Sequence, residues 1–251
     1  MRQLKITRQV TSRDTLAFEK YLQEIAREEL ISPEEEIELA KRIKCGDQEA
    51  VHKLVLANLQ ITEYKNPEAL RRVIAELESR NIKTATIFVG KDFTANNCDL
   101  IKQLDQKGYE IAAFGYNLNE KGDFVDLAKL DEEKQEQIIT DTKNTIENCL
   151  GHKIDGFRAQ RFSFNNDTNE IVKNLGFTWQ GSFVTTWHKE ASSSPYYNTN
   201  LGFYVVSMEG VKGNNYVLCD TAMSSSNKKA AEWKKTVKNY LIQHRQEKTP
   251  F

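Results

Sequence analysis

Residues 84–90 read TATIFVG and residues 109–115 read YEIAAFG. Both are short apolar runs of strand length, the first rich in β-branched residues, and each follows a segment with helical apolar spacing. Before the first lies PEALRRVIAELESRN (67–81), an amphipathic helix by pattern; between the two lies CDLIKQLDQKG (98–108), also helical. The alternation continues outward. DEEKQEQIITDTKNTIENCLG (131–151) predicts a long helix, GFRAQ (156–160) a short strand, and NNDTNEIVKNLG (165–176) a helix leading into FTWQGSF. Strands separated by helices at this spacing predict an α/β fold, a mostly parallel sheet or barrel with right-handed crossovers. Further on, FYVVSME (203–209) and YVLCD (216–220) predict strands, and SSSPYYNTN (192–200) predicts a loop from its Ser, Pro and Asn content. Residues 226–246 predict a closing helix with Trp233, Val237, Tyr240 and Leu241 on one face and lysines opposite, the pattern of an outer barrel helix.

The first sixty residues have a different rhythm. TLAFEKYLQEIAREEL places Leu16, Tyr21, Leu22, Ile25 and Leu30 on one apolar stripe. Ser32-Pro33-Glu34-Glu35 then reads as a helix start, with Ser32 as cap, Pro33 in the first turn and Glu35 closing a capping box. That helix runs to Gly46, and Asp47 caps a third carrying Val51, Leu54, Val55 and Leu59. The expected division is a small all-helical unit over 1–60 and an α/β unit over 61–251.

Composition excludes several classes. The chain has 251 residues, 39% hydrophobic and 28% charged, which suits a globular protein. Residues 1–60 carry 10 basic and 11 acidic side chains and the remainder 25 of each, so no basic excess points to nucleic acid. No apolar run is long enough to cross a bilayer, and MRQLKITRQV lacks the apolar core of a secretory signal. Cys45, Cys98, Cys149 and Cys219 are far apart, with no Cys-x-x-Cys pair, so they read as isolated thiols in a reducing cytoplasm.

Two resemblances sharpen the division. MRQLKIT, EKYLQEI, ELISPEEEIELAKRIKCGDQEA and KLVLANL together resemble region 1.2 and the first residues of region 2 of bacterial primary sigma factors, especially those of Bacteroidetes. The resemblance covers residues 1 to about 59 and implies that Leu22 and Gln23 face promoter DNA. It also implies a weak contact with RNA polymerase or DNA through this segment. The polymerase-gripping helix and base-capturing aromatics of that family do not follow, so promoter-directed initiation is not expected.

Residues 67 to about 248 resemble the polysaccharide deacetylase family, through RNIKTATIFVGK, GYEIAAFGY, LDEEKQEQI, GFRAQRFSFNNDT and NLGF. The resemblance implies an incomplete or distorted (β/α)-barrel. It also implies a metal-dependent removal of acetyl groups from sugars, with an Asp and two His holding the ion, a second Asp as base and an Arg orienting that base. Motif by motif, the chemistry is missing. The Asp pair expected at the end of the first strand falls at LQITEYKN, where Glu63 is the only acid. The two metal-binding His positions are occupied by Phe114 and Leu118. Arg158 is kept, but Gln160 replaces the proline after it. The final His motif would follow the 226–246 helix.

The expectation is therefore a deacetylase-like domain without metal, cofactor or catalytic residues, joined to a sigma-like segment. An active deacetylase with a displaced site and a transcription-associated protein are the alternatives. Phe114, Asn117, Arg158, Gln160, Arg161, Trp179 and Trp187 are the cleft candidates, of types that bind carbohydrate. Arg158 is expected to be partly solvent-accessible at the open barrel end. His52, His152, His188 and His244 have no metal-site spacing and are expected to be exposed.

Overall fold

The computed structural model describes residues 59–63, 66–79, 85–119, 121–192 and 195–211, with positions 217, 232, 235, 236 and 239. Residues 1–58 of the helical unit expected over 1–60, with Leu22 and Gln23, lie outside the described residues, as do most of YVLCD and of the 226–246 helix.

Seven strands form one sheet: β1 (Leu59–Glu63), β2 (Ala85–Val89), β3 (Glu110–Gly115), β4 (Gly156–Ala159), β5 (Trp179–Gln180), β6 (Tyr196–Asn198) and β7 (Phe203–Val205). Their spatial order is β1-β2-β3-β4-β5-β7-β6. Every neighbouring pair is parallel except β6 and β7. Helices α1 (Pro67–Ser79), α2 (Lys91–Asn96), α3 (Cys98–Gln106), α4 (Glu132–Leu150) and α5 (Asn166–Asn174) fill the crossovers. The fold is a distorted (β/α)-barrel of deacetylase type, with β1 and β6 at the edges of the sheet among the described residues.

Local chemistry sets the helix ends. The Asn66 carboxamide oxygen accepts from the backbone N–H of Glu68 and Ala69, both at 3.1 Å, and so starts α1. Asp131 accepts from the N–H of Lys134 at 2.9 Å to start α4. Gly151, at φ 83°, stops α4 in a left-handed turn that a side chain would strain. Asn165 and Thr168 exchange side-chain and backbone hydrogen bonds in a capping box at α5.

Alternation along the strands sorts side chains onto two buried faces, as parallel sheets require. Ile87, Val89, Ile111, Ala113, Phe157, Ala159, Phe203 and Val205 face the helices and pack with Leu70, Ile74, Leu104, Ile139, Ile146 and Val172. The barrel-facing side carries Phe88, Ala112 and Phe114, with Tyr116 and Trp179 packed against them.

Three expectations are corrected. Leu59 belongs to no helix: it heads β1, in register with Ala85, so the first strand crosses the expected boundary at residue 60. Pairing with β2 overrides a helical period that continued by chance through LANL. The stretch 192–200 is not all loop, because Tyr196–Asn198 pairs antiparallel with β7. Its Asn198 side chain accepts from the N–H of Asn200 and Leu201 at 3.0 and 3.2 Å, so a turn residue closes the hairpin rather than ending the strand. Finally, Cys98 and Cys149 are joined in a disulfide with their Cα atoms 5.7 Å apart. Sequence spacing says nothing of approach in space; packing the start of α3 on the last turn of α4 brings the two together.

Candidate cleft at the carboxyl ends of the strands

Phe114 and Arg158 are register partners across β3 and β4. Between them and Phe88 the barrel end is filled. Arg158 is only 4% exposed. Its Nε donates to the Gly181 carbonyl at 2.9 Å, and its guanidinium carbon lies 4.0 Å from the centre of the Phe88 ring and 5.4 Å from that of Phe162. The accessible Arg158 expected from the sequence is thus corrected. A flat, weakly hydrated guanidinium stacks on aromatic faces at modest desolvation cost, and Phe88 supplies such a face.

Around this plug the loops interlock. Gln160 is buried, and its Oε1 accepts from the Asn117 backbone N–H at 3.0 Å, tying the segment after β4 to the loop after β3. The Gln160 Nε2 has no hydrogen-bond partner among the described residues. Arg161 and Phe162 both adopt left-handed backbone, at φ 55° and 57°. Such conformations cost non-glycine residues about 1–3 kcal/mol each and gather at functional segments. The turn aims the exposed Arg161 toward Asp126, at 3.5 Å, and lays Phe162 edge-on to Trp187, with ring centres 6.2 Å apart. Trp187 is 39% exposed, beside Phe162.

Trp179 stands directly behind this plug. It opens β5 opposite Gly156, and its ring packs edge-on against the Phe88 ring on which Arg158 stacks, with centres 5.6 Å apart. Its indole Nε1 donates to Glu110 at 3.0 Å, and Thr86 Oγ1 donates to the other carboxylate oxygen at 2.5 Å. Desolvation of its carboxyl between Thr86 and Trp179 raises Glu110 above the ordinary carboxylate range, although the residue as a whole stays exposed at the head of β3. The Thr86 and Trp179 hydrogen bonds oppose that shift and Asp155 adds to it.

Two histidines also differ in setting. His152 is exposed as expected; a hydrogen bond with Asp105, at 3.0 Å, raises it above the usual imidazole value. His188 is half-buried, which corrects the expectation for it. Its Nδ1 accepts from the Val184 N–H at 3.0 Å and its ring packs 4.8 Å from that of Phe164. Burial lowers its pKa.

The side chains at this end do not fit a divalent metal. Phe88, Ala112 and Phe114 have no donor atoms, Leu118 is likewise aliphatic, and Arg158 is itself cationic. Among the described residues no group of three His, Cys, Asp or Glu side chains is placed to hold an ion. Sequence reading found Phe114, Asn117, Arg158, Gln160, Arg161 and Trp187 at this end. It missed Phe88, Asp126 and Phe162, of which Phe88, alternating with Ile87 and Val89 in TATIFVG, carried a visible signal.

The fold is a distorted (β/α)-barrel whose strand ends are filled by Phe88, Phe114 and Arg158. Comparison with known proteins agrees. Residues 62–179 match the polysaccharide deacetylase family, and residues 17–49 match the sigma-70 factor region 1.2 family. Among solved structures, Puue allantoinase superposes with a TM-score of 0.57 at 14% identity, over 71% of this chain and 54% of that one. A probable polysaccharide deacetylase from Pseudomonas aeruginosa PAO1 gives 0.56 at 14% identity, over 71% and 55%. The RNA polymerase sigma factor SigA of Clostridium acetobutylicum is 34% identical over 98 residues, 38% of this chain and 22% of that protein. The chain thus resembles two unrelated families in two segments, and it spans about a fifth of the sigma factor and just over half of the two barrel proteins.

Proposed function

We propose that the barrel is a deacetylase-like domain that holds carbohydrate without metal-dependent catalysis, carried beside a sigma-like segment. The observation that carries this reading is the plug itself. Phe114 and Arg158 are paired across β3 and β4, with Arg158 stacked on Phe88; by the motif resemblance these are the places where a deacetylase keeps a metal-binding His and the Arg that orients its base. A metal lowers the pKa of bound water and polarises the acyl oxygen, and aromatic side chains supply neither effect. Sugar recognition needs less: an exposed aromatic face and donors at its margin, here Trp187 and Arg161, with Asn117 nearby.

Elemental analysis of protein purified without chelators is expected to find less than about one metal per chain, the minimum for such catalysis. Titration with acetylated chito-oligosaccharides, followed by NMR, is expected to shift the Trp187 indole signal, and Trp187→Ala to abolish the shift. One tightly held metal per chain together with acetate release would overturn the reading.

A second reading rests on the sigma region 1.2 match over residues 17–49. The segment contacts RNA polymerase or promoter DNA through Leu22 and Gln23. Pull-down of core polymerase by the full chain, lost on substituting both residues, tests it.

A further inference from the structure

The Cys98–Cys149 bond joins positions 51 apart in sequence, and the segment it encloses is not arbitrary. It contains α3, β3, the loop after β3 and α4. Phe114, Asn117 and Asp126 lie within it, whereas Arg158, Gln160, Arg161 and Trp187 lie outside. One wall of the cleft is therefore closed covalently, and the opposing wall is held only by packing and hydrogen bonds. A second tie reinforces the first: His152, just beyond α4, bonds Asp105 near the end of α3. The sulfurs differ in access. Cys149 is 9% exposed in the core, and Cys98 is only partly buried at its margin. An attacking thiolate therefore meets Cys98 first.

We propose that Cys98 and Cys149 form a redox-responsive clamp on the β3 wall of the cleft. It closes by exchange with a low-mass disulfide such as glutathione disulfide. In closing, the two thiols give up two protons and two electrons to make one S–S bond, and the small disulfide accepts them and leaves as two thiols. The bond removes conformations from the unfolded chain, the more so because the loop it closes is long. Opening it also frees the start of α3 from the last turn of α4, and these are the two helices packed on β3.

The test uses the full chain equilibrated over a series of glutathione to glutathione-disulfide ratios, and it needs no carbohydrate. Acid quenching, alkylation and peptide mapping read the thiols; calorimetry and amide hydrogen exchange read the structure. At excess glutathione disulfide, the Cys98 and Cys149 peptides are expected to be linked to each other and protected from alkylation. The Tm is expected to stand about 5–15 °C above that of the reduced protein. Exchange in residues 110–131 is expected to slow at least about tenfold, while residues 166–180 change little. Cys98→Ala with Cys149→Ala is expected to behave as the reduced protein at every ratio. If that variant fails to fold, the reduced wild-type chain gives the same comparison. Full alkylation of both thiols in excess disulfide, a Tm indifferent to the ratio, or exchange slowed equally in both segments would each overturn the proposal.

Discussion

Arg158 and Phe88 stack with the guanidinium carbon 4.0 Å from the ring centre, deep enough that Arg158 keeps only 4% of its surface exposed. Truncation to Ala empties that space and removes the donor to the Gly181 carbonyl. Arg158→Ala is expected to destabilise by about 2–3 kcal/mol, in place of the surface-like effect expected from sequence. Arg158→Lys is expected to recover little, because an ammonium offers neither the flat stack nor the Nε donor. Urea unfolding measures both; a loss below about 1 kcal/mol for Ala would contradict the packing.

Gly156 and Trp179 are register partners across β4 and β5. A Cβ on residue 156 would lie 2.1 Å from the Trp179 ring, inside any real contact. Gly156→Ala is expected to cost about 3 kcal/mol through overpacking. Adding Trp179→Ala is expected to restore part of that loss, since the clash is then absent, and a double-mutant cycle from thermal unfolding reads the coupling.

Glu110 gives a pH signature. Its folded pKa is raised, burial being the leading cause, so the folded chain holds this proton more tightly than the unfolded chain does. The stability from this group is full below the ordinary Glu value and is lost as pH rises through the raised one. Glu110→Gln is expected to flatten that part of the Tm against pH curve. An unchanged slope would show that another group sets it.

His152 and His188 are expected to titrate on opposite sides of the ordinary imidazole value, because a carboxylate holds one and the core encloses the other. The stability His152 adds through Asp105 is present below the unfolded pKa and fades as pH rises through the raised folded value. For His188 the sign reverses: stability is present above the unfolded value and is lost as pH falls through the lowered one. NMR titration of the ring protons checks the order. Asp105→Asn is expected to bring His152 down and leave His188 unmoved.

Much of the framework was legible. Period-3.6 and strand-length runs located α1, α3, α4 and α5 with β2, β3 and β4, because each buries a whole face and its apolar spacing records that. The motif positions also located Phe114 and Arg158 at one barrel end. What failed was decided by pairing rather than by pattern. Leu59 is strand only because β2 lies alongside it, and the two residues of β5 carry no periodicity that would mark them as strand. The burial of Arg158 depends on Phe88, 70 positions away, and no local signal reports such a partner.

The two described tryptophans, one bonded to Glu110 and the other 39% exposed beside Phe162, give the barrel a built-in optical pair. Trp187, open to solvent, should emit at longer wavelength and be quenched readily by acrylamide. Trp179, packed on Phe88 at 5.6 Å, should emit further to the blue and resist quenching. Acrylamide quenching therefore distinguishes an event at the exposed Trp187 from a loosening of the packing on Phe88, with no label attached.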